Sequence, residues 1–185
     1  MPRIPYPNPD ALSPEIKTAV ARAPINIVKM MAGASPAVFE GFSRFSGAFY
    51  GGSSLTPDLR EIAILRVGYL SEAPYETFQH EPGARLAGLN DGQIGAIKHG
   101  GQHPDMLSPT QQAVMDFAEE LVKHVHPSDA ALADIRKQLN DRQVMDLVLL
   151  IGLYMMVSRF LETTGVELDH DALDWKHLPS QQSAN

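Results

Sequence analysis

Apolar residues recur along most of the chain at spacings of three and four, the period of a helix with one buried face. The clearest stretch is 36–50, whose phenylalanines fall on one stripe before two glycines. No run alternates convincingly between apolar and polar residues, and no Asn-Gly or Asp-Gly pair lies between two strand-like runs. The pattern therefore predicts an all-α protein.

Proline at the first helical position and polar capping residues indicate where the helices begin. Ser13-Pro14, Thr56-Pro57 and Ser108-Pro109 are the clearest such starts. About eight to ten helices with short links are expected, and the predicted segments are 14–23, 25–32, 36–50, 57–70, 74–87, 90–99, 109–125, 128–139 and 141–162. They form a single predicted domain over residues 1–178, followed by a polar tail at 179–185.

The most apolar segment, Val144 to Val157, contains Asp146 and is followed by Arg159 and Glu162. It falls short of the roughly eighteen uninterrupted apolar residues of a membrane span, so we predict a helix in the core or at a subunit contact. The N-terminus is rich in proline where a signal peptide would be apolar. We therefore predict a cytoplasmic protein that does not enter a membrane.

Composition excludes several types of binding site and reaction. The chain has 185 residues, a formal net charge of −7 and no cysteine. The negative charge, without a local basic patch, argues against nucleic-acid binding. The missing cysteines exclude disulfides, cysteine-ligated zinc, iron–sulfur clusters and reactions of a thiolate of this chain.

Histidines offer weak candidates for a metal site. His124 and His126 alternate and so point in different directions, and His99 and His103 flank two glycines rather than share a helical turn. A cluster near the C-terminus has suitable donor atoms, but a solvated surface is the commoner interpretation; it comprises Asp169, His170, Asp171, Asp174 and His177. We predict no metal and no other cofactor.

Glu61 is the first candidate for acid/base chemistry. At about 100° per residue it shares a helix face with Ile64, Leu65 and Gly68, so its carboxyl is expected to be partly desolvated. Desolvation helps a glutamate to donate as well as accept protons near neutrality. The alternative is a structural glutamate satisfied by a neighbouring arginine or a backbone donor.

Glu76 and His80 are four residues apart and therefore lie one turn apart on one face of the next helix. Small residues continue that face, which leaves room for a ligand or for another helix. Tyr75 stands beside them in the first turn, and Pro82 predicts a kink just past the histidine. A solvated helix face is the common alternative for a Glu/His pair at this spacing.

Together these positions resemble the carboxymuconolactone decarboxylase and alkylhydroperoxidase D-like superfamily. Its peroxidase branch has Glu, eleven residues, Cys, two residues, Cys, three residues and His, and this chain has Glu61, Ala73, Glu76 and His80 in that frame. The surrounding sequence, from about residue 36 to 97, is similar to cysteine-free members. The resemblance implies a multi-helix bundle of that superfamily, assembled as a trimer or hexamer.

The resemblance also implies roles. In the peroxidase branch the glutamate and histidine relay protons to the thiols; without thiols, a relay remains that can serve a decarboxylase. His80 is then the acid/base, Glu61 its tuning partner, Glu76 a second carboxylate and Tyr75 a hydrogen-bond donor. The substrate carboxylate is held by Arg66 or Arg85, whose guanidinium presents a bidentate fork, although both arginines have a structural alternative.

Two functions follow as hypotheses. The first is a cofactor-free lyase acting on a small carboxylated substrate, with lactones among the candidates, by general acid/base proton transfer. The second is a non-catalytic member that binds a small acid or a partner and keeps Glu61 and His80 as a structural pair. Peroxidase activity ranks last, because it would need thiols from another protein.

Overall fold

A computed structural model describes residues 1–176, so the predicted tail at 179–185 lies outside the described residues. Nine α-helices and no strand occur within 1–176, which confirms the all-α prediction. The helices are α1 (Pro14–Arg22), α2 (Asn26–Met31), α3 (Pro36–Gly51), α4 (Pro57–Leu70), α5 (Pro74–Leu86), α6 (Asp91–His99), α7 (Pro109–Lys123), α8 (Asp129–Gln138) and α9 (Asp141–Thr164).

Helix starts follow the predicted capping residues. The side chains of Ser13, Asn90, Ser108 and Ser128 each accept a hydrogen bond from a backbone N–H in the first turn of the helix that follows. Helix ends differ slightly from the prediction. Helix α7 stops two residues early because His124 is already extended, with φ −134° and ψ 152°.

The described part of the chain divides into two compact units, residues 53–159 and residues 1–52 with 160–176. In the first unit α4 packs against α5, α6 and α7, and α7 packs against α8. Helix α4 is buried on every side: five consecutive or near-consecutive apolar residues have no exposed surface, namely Ile62, Ala63, Ile64, Leu65 and Val67. It is the central helix of this unit and carries Glu61.

The second unit contains α1 to α3 and the segment after α9. Helix α2 begins after Ile25, which cannot cap it with its side chain, and the backbone N–H of Asn26 donates instead to Asp169 at 2.9 Å. The backbone N–H of Arg3 donates to the carbonyl of Thr164 at 2.8 Å. Part of the acidic cluster near the C-terminus therefore caps a helix.

Helix α9 contains the apolar segment 144–157. Within the described residues it alone has the length and hydropathy of a membrane span, but half of its most apolar window is buried, as in the core helix of a globular protein. One side carries buried residues such as Leu147, Leu150 and Ile151. The other leaves a row of apolar side chains exposed, which includes Met145 and Leu149.

Candidate functional site

Glu61 of α4 and His80 of α5 form a buried pair. Nδ1 of His80 lies 2.8 Å from Oε2 of Glu61, and the Nε of Arg60 donates to Oε1 of the same carboxyl at 3.2 Å. Glu61 has no exposed surface and His80 is 8% exposed. A carboxylate only accepts hydrogen bonds, so this contact suits the histidine tautomer that carries a proton on Nδ1.

A tight turn between α4 and α5 brings these two residues together. The backbone N–H of Ala73 donates to the carbonyl of Gly68 at 3.0 Å, and Glu72 takes the left-handed conformation with φ +51°. Proline at the first position of α5 starts the second helix at once. The two helices therefore lie side by side, and the side chains of Glu61 and His80 come into contact.

Gly68 allows α5 to approach α4 closely. A Cβ at this position would lie 3.1 Å from Cγ of Glu76 and 3.1 Å from Cγ2 of Thr77, closer than such atoms usually come. The absent side chain therefore makes room for Glu76. The glycine that the sequence placed on the same face as Glu61 serves to admit a second carboxyl.

Glu76 is 2% exposed, and its two oxygens differ. Ser158 of α9 donates through Oγ to Oε2 at 3.3 Å, whereas Oε1 has no hydrogen-bond partner among the described residues. Burial raises the pKa of Glu76 well above its ordinary value, the hydrogen bond from Ser158 opposes this, and the charge of Glu61 raises the pKa further. Glu76 therefore keeps its proton to a higher pH than an exposed glutamate does.

Aromatic and amide side chains border the cluster. Tyr154 of α9 meets the His80 ring edge-on, with centroids 5.1 Å apart and planes at 89°. Tyr75 is buried, and Nε2 of Gln79 donates to its hydroxyl at 3.5 Å. These contacts fix the orientation of the imidazole and of the first turn of α5.

The structure brings together Glu61, Glu76 and His80, with Tyr75 in the same first turn of α5. Sequence analysis missed Tyr154 and Ser158. The available signal was their spacing: two polar groups four residues apart lie on the same face of an otherwise apolar helix. The neighbouring arginine considered as a structural alternative for Glu61 is present as Arg60, in addition to the histidine.

The two arginines considered for a substrate carboxylate have other partners. Arg66 is buried and donates to the carbonyls of Ile97 and Lys98, and its Nη2 lies 2.7 Å from Glu119. This geometry favours the structural alternative for Arg66. Arg85, whose side chain is half-exposed, bridges Asp91 and Glu81 near the C-terminal end of α5.

Three of the histidines outside the cluster have local partners. Nδ1 of His99 bonds to the carbonyl of Gly95, Nε2 of His103 to the carbonyl of Gly100, and His170 to Asp171. Over residues 1–176 no three His, Asp or Glu side chains come together as a potential metal site. His177, the last member of the C-terminal cluster, lies outside the described residues.

The arrangement is suited to proton transfer. It combines a histidine in contact with the carboxyl group of Glu61 and a second carboxyl, that of Glu76, one helical turn away, and all three side chains are buried. His80 is the most exposed of the three groups, at 8%. At the two positions where the peroxidase branch has thiols, the chain has buried Ala73 and Glu76.

Solved structures with the alkylhydroperoxidase D-like fold are similar to this chain. A crystal structure described as an alkylhydroperoxidase AhpD core, an uncharacterized peroxidase-related protein from Ralstonia eutropha JMP134, has a TM-score of 0.78 and 20% identity over 91% of this chain and 93% of its own. An uncharacterized peroxidase-related protein from Silicibacter sp. TM1040 has a TM-score of 0.75 and 18% identity over 91% of each chain.

A third similar structure is a cysteine-to-alanine variant of the debrominase Bmp8 in complex with 2,3,4-tribromopyrrole. Its TM-score is 0.72, with 13% identity over 90% of this chain and 91% of its own. No protein-family model matches the chain, and no curated protein matches it in sequence. The comparisons confirm the fold that the resemblance predicts: the chain has the AhpD-like all-α fold.

Proposed function

We propose that this AhpD-like chain is a cofactor-free lyase that removes carbon dioxide from a small carboxylated substrate, with lactones among the candidates. The observation that carries the proposal is the buried contact between His80 and Glu61 at 2.8 Å, next to the carboxyl of Glu76, whose pKa is raised by burial. Loss of carbon dioxide leaves an electron pair on carbon, which a positioned acid must protonate. His80 is that acid in the proposal.

Glu61 acts in the proposal as the partner that orients His80. Its Oε2 fixes the tautomer and the direction of the ring, so that Nε2 faces the substrate. A carboxylate in this place also stabilises the imidazolium form, from which the proton is delivered. Arg60 keeps the other oxygen of Glu61 occupied, which holds the carboxyl in one orientation.

In the resemblance, the peroxidase branch acts through thiols, and this chain has no cysteine. Reduction of a peroxide by this chain alone therefore lacks the group that would be oxidised. Proton transfer needs no such group. For this reason we rank a lyase above a peroxidase, in agreement with the expectation from the sequence.

The second candidate is a binding protein in which Glu61 and His80 form a structural pair. The near-complete burial of Glu61 and Glu76 favours this function, since enzymes need access to their acid/base groups. A binding protein would hold a small acid without changing it. The two candidates therefore differ in turnover rather than in which ligands bind.

The test is release of carbon dioxide from a panel of small carboxylated lactones and β-keto acids. We expect turnover of at least one compound, and we expect Glu61→Gln and His80→Gln each to lower kcat roughly 10²- to 10⁴-fold without loss of helical content. Glu40→Gln and His99→Gln are the matched controls, because both residues lie outside the cluster. Binding without turnover, or equal turnover in all variants, contradicts the proposal.

We propose further that the protein works in the cytoplasm as a homo-oligomer and without a nucleic-acid partner. Its negative charge and the exposed apolar row on α9 support this. The assembly, a trimer or a hexamer in the resemblance, is independent of the lyase activity and is tested separately below.

A further inference from the structure

We propose that the groove between α7 and α8 binds a linear aliphatic diamine. Its two ammonium groups pair with Asp116 and Glu120, and its methylene chain lies along the floor of the groove. Both helices belong to the compact unit of residues 53–159. The site shares no residue with the cluster around His80, so it is independent of the proposed lyase activity.

The first step concerns the space between the helices. The groove has a volume of about 520 Å³, within the range of about 300–1,000 Å³ that is usual for small-molecule sites. Phe117 and Ile135 line it and are each 1% exposed, so they form a closed apolar floor. Ala113 and Ala131 line the same groove and are only partly buried. Because alanine is small, these two positions leave open a gap that longer side chains would fill.

The second step concerns the charges along the groove. Four carboxylates line it, and two of them already have cationic partners. Glu119 contacts Lys123 at 2.9 Å and Arg66 of α4 at 2.7 Å. Asp134 contacts Lys137 at 2.6 Å. The charges of these two carboxylates are therefore compensated within the chain.

The other two carboxylates, Asp116 and Glu120, have only neutral donors within the described part of the chain. Gln112 and Gln102 donate through Nε2 to the two oxygens of Asp116, at 2.8 and 3.0 Å. The backbone N–H of Ser128 donates to Glu120 at 3.2 Å. The groove therefore combines an apolar floor with two negative charges that a ligand cation would compensate.

The third step concerns the length of the ligand. Asp116 and Glu120 are four residues apart on one helix, so their Cβ atoms lie about 5–6 Å apart. An extended chain of about four methylenes between two nitrogens has a similar length, because three single bonds advance about 3.5 Å. A diamine of this length meets both charges and covers the floor with methylene groups.

A metal ion fits the groove less well. A calcium or magnesium ion needs several oxygen ligands around one point. Over residues 1–176 no three His, Asp or Glu side chains come together to hold one. The apolar floor, which supplies no oxygen ligand, suits an organic cation instead.

The probe for the test is putrescine, titrated into the native chain by calorimetry at low salt, where charges are screened least. We expect n-butylamine, which has one charge, to bind roughly 10-fold more weakly. Asp116→Asn and Glu120→Gln should each weaken putrescine binding roughly 10-fold. Glu40→Gln removes the same charge from α3, outside the groove, and should leave binding unchanged.

A second pair of variants tests the floor. Ala131→Leu fills the groove and should weaken putrescine binding roughly 10-fold or more. Ala133→Leu makes the same change at an exposed position of α8 outside the groove and should leave binding unchanged. Circular dichroism confirms that each variant is folded.

The proposal is overturned if the native chain does not bind putrescine, or binds n-butylamine equally well. It is also overturned if Asp116→Asn and Glu120→Gln bind putrescine as tightly as the native chain does, or if Glu40→Gln weakens binding as much as they do. A mass in light scattering that falls in Ala131→Leu but not in Ala133→Leu would assign the groove to a second copy of the chain, which likewise overturns the proposal.

Discussion

At the residue scale, the two glutamates of the cluster lie in different environments. Glu61 is surrounded by donors, with Arg60 on one oxygen and His80 on the other. Glu76 has a single weak donor, Ser158, and one unpaired oxygen. Burial raises the pKa of Glu76, and acid/base enzymes separate roles by placing two carboxyls in different surroundings.

The raised pKa of Glu76 gives a prediction for stability. The folded chain holds this proton above the ordinary value of 4.5, so the contribution of Glu76 to stability is fully present below that pH and is lost as the pH rises through the folded value. From pH 4.5 upward the free energy of unfolding of the native chain should fall relative to that of Glu76→Gln, by at most about 1.4 kcal/mol per pH unit.

Urea unfolding from about pH 4 to about pH 8 measures this difference. Glu40→Gln removes an exposed glutamate from α3 and should leave the pH dependence of the native chain unchanged. The prediction is wrong if the free energies of unfolding of the native chain and of Glu76→Gln differ by the same amount at every pH. The folded and the unfolded state would then bind the Glu76 proton equally well.

At the scale of elements, the α4–α5 pair depends on small residues at the contact. Gly68 admits Glu76, and Ala73 and Ala84 are buried where larger side chains would separate the helices. The sequence left two roles open for these small residues, room for a ligand or room for another helix. In the structure, Gly68 serves the close approach of α5.

A matched pair of glycines tests this contact. Alanine is favoured over glycine inside a helix by about 1 kcal/mol, so Gly95→Ala in α6, where an added Cβ meets nothing within 4 Å, should raise the free energy of unfolding by about that amount. For Gly68→Ala the free energy of unfolding should rise by less than for Gly95→Ala, or fall, because the added Cβ must displace Glu76 or Thr77.

The same pair separates stability from function. We expect Gly68→Ala to lower turnover by moving the Glu76 carboxyl, and Gly95→Ala to leave turnover unchanged. Thermal unfolding and the carbon dioxide assay provide the measurements. Equal gains in stability together with native activity in both variants would show that the Gly68 contact does not position Glu76.

At the scale of the whole molecule, α9 carries apolar residues on its exposed side as well as on its buried side. Its buried face carries Tyr154 and Ser158 at the cluster, and an exposed row consists of Met145, Val148, Leu149 and Met156. A helix that is apolar all round is normally buried. A second copy of the chain on this row would agree with the homo-oligomer predicted from the sequence.

Light scattering after size-exclusion chromatography tests this prediction. The native chain should elute as an oligomer, and Leu149→Glu should reduce its mass by placing a charge in the contact. Leu132→Glu changes an exposed leucine of α8 and should leave the mass unchanged. A monomeric native chain, or an oligomer unaffected by Leu149→Glu, contradicts a subunit contact on α9.

Local signals explain why the helices were predictable. Ser13, Asn90, Ser108 and Ser128 cap helices where the sequence indicated, because the capping bond forms with a backbone N–H only three residues away. The helix face on which Glu61 lies was also predictable, since helical periodicity alone assigns a residue to a face. The roles of Glu61, Glu76, His80 and Tyr75 remain predictions that the proposed experiments test.

Long-range contacts lay beyond the sequence. Ser158 is 82 residues from Glu76, and Glu119 is far along the chain from Arg66, so neither partner follows from any local pattern. The sequence by itself determined the helices, the faces of Glu61 and His80, and the absence of thiols. Only the tertiary structure decided that burial raises the pKa of Glu76, that one of its oxygens has no partner among the described residues, and that Arg66 is paired with Glu119. Burial and partner geometry depend on how distant helices pack.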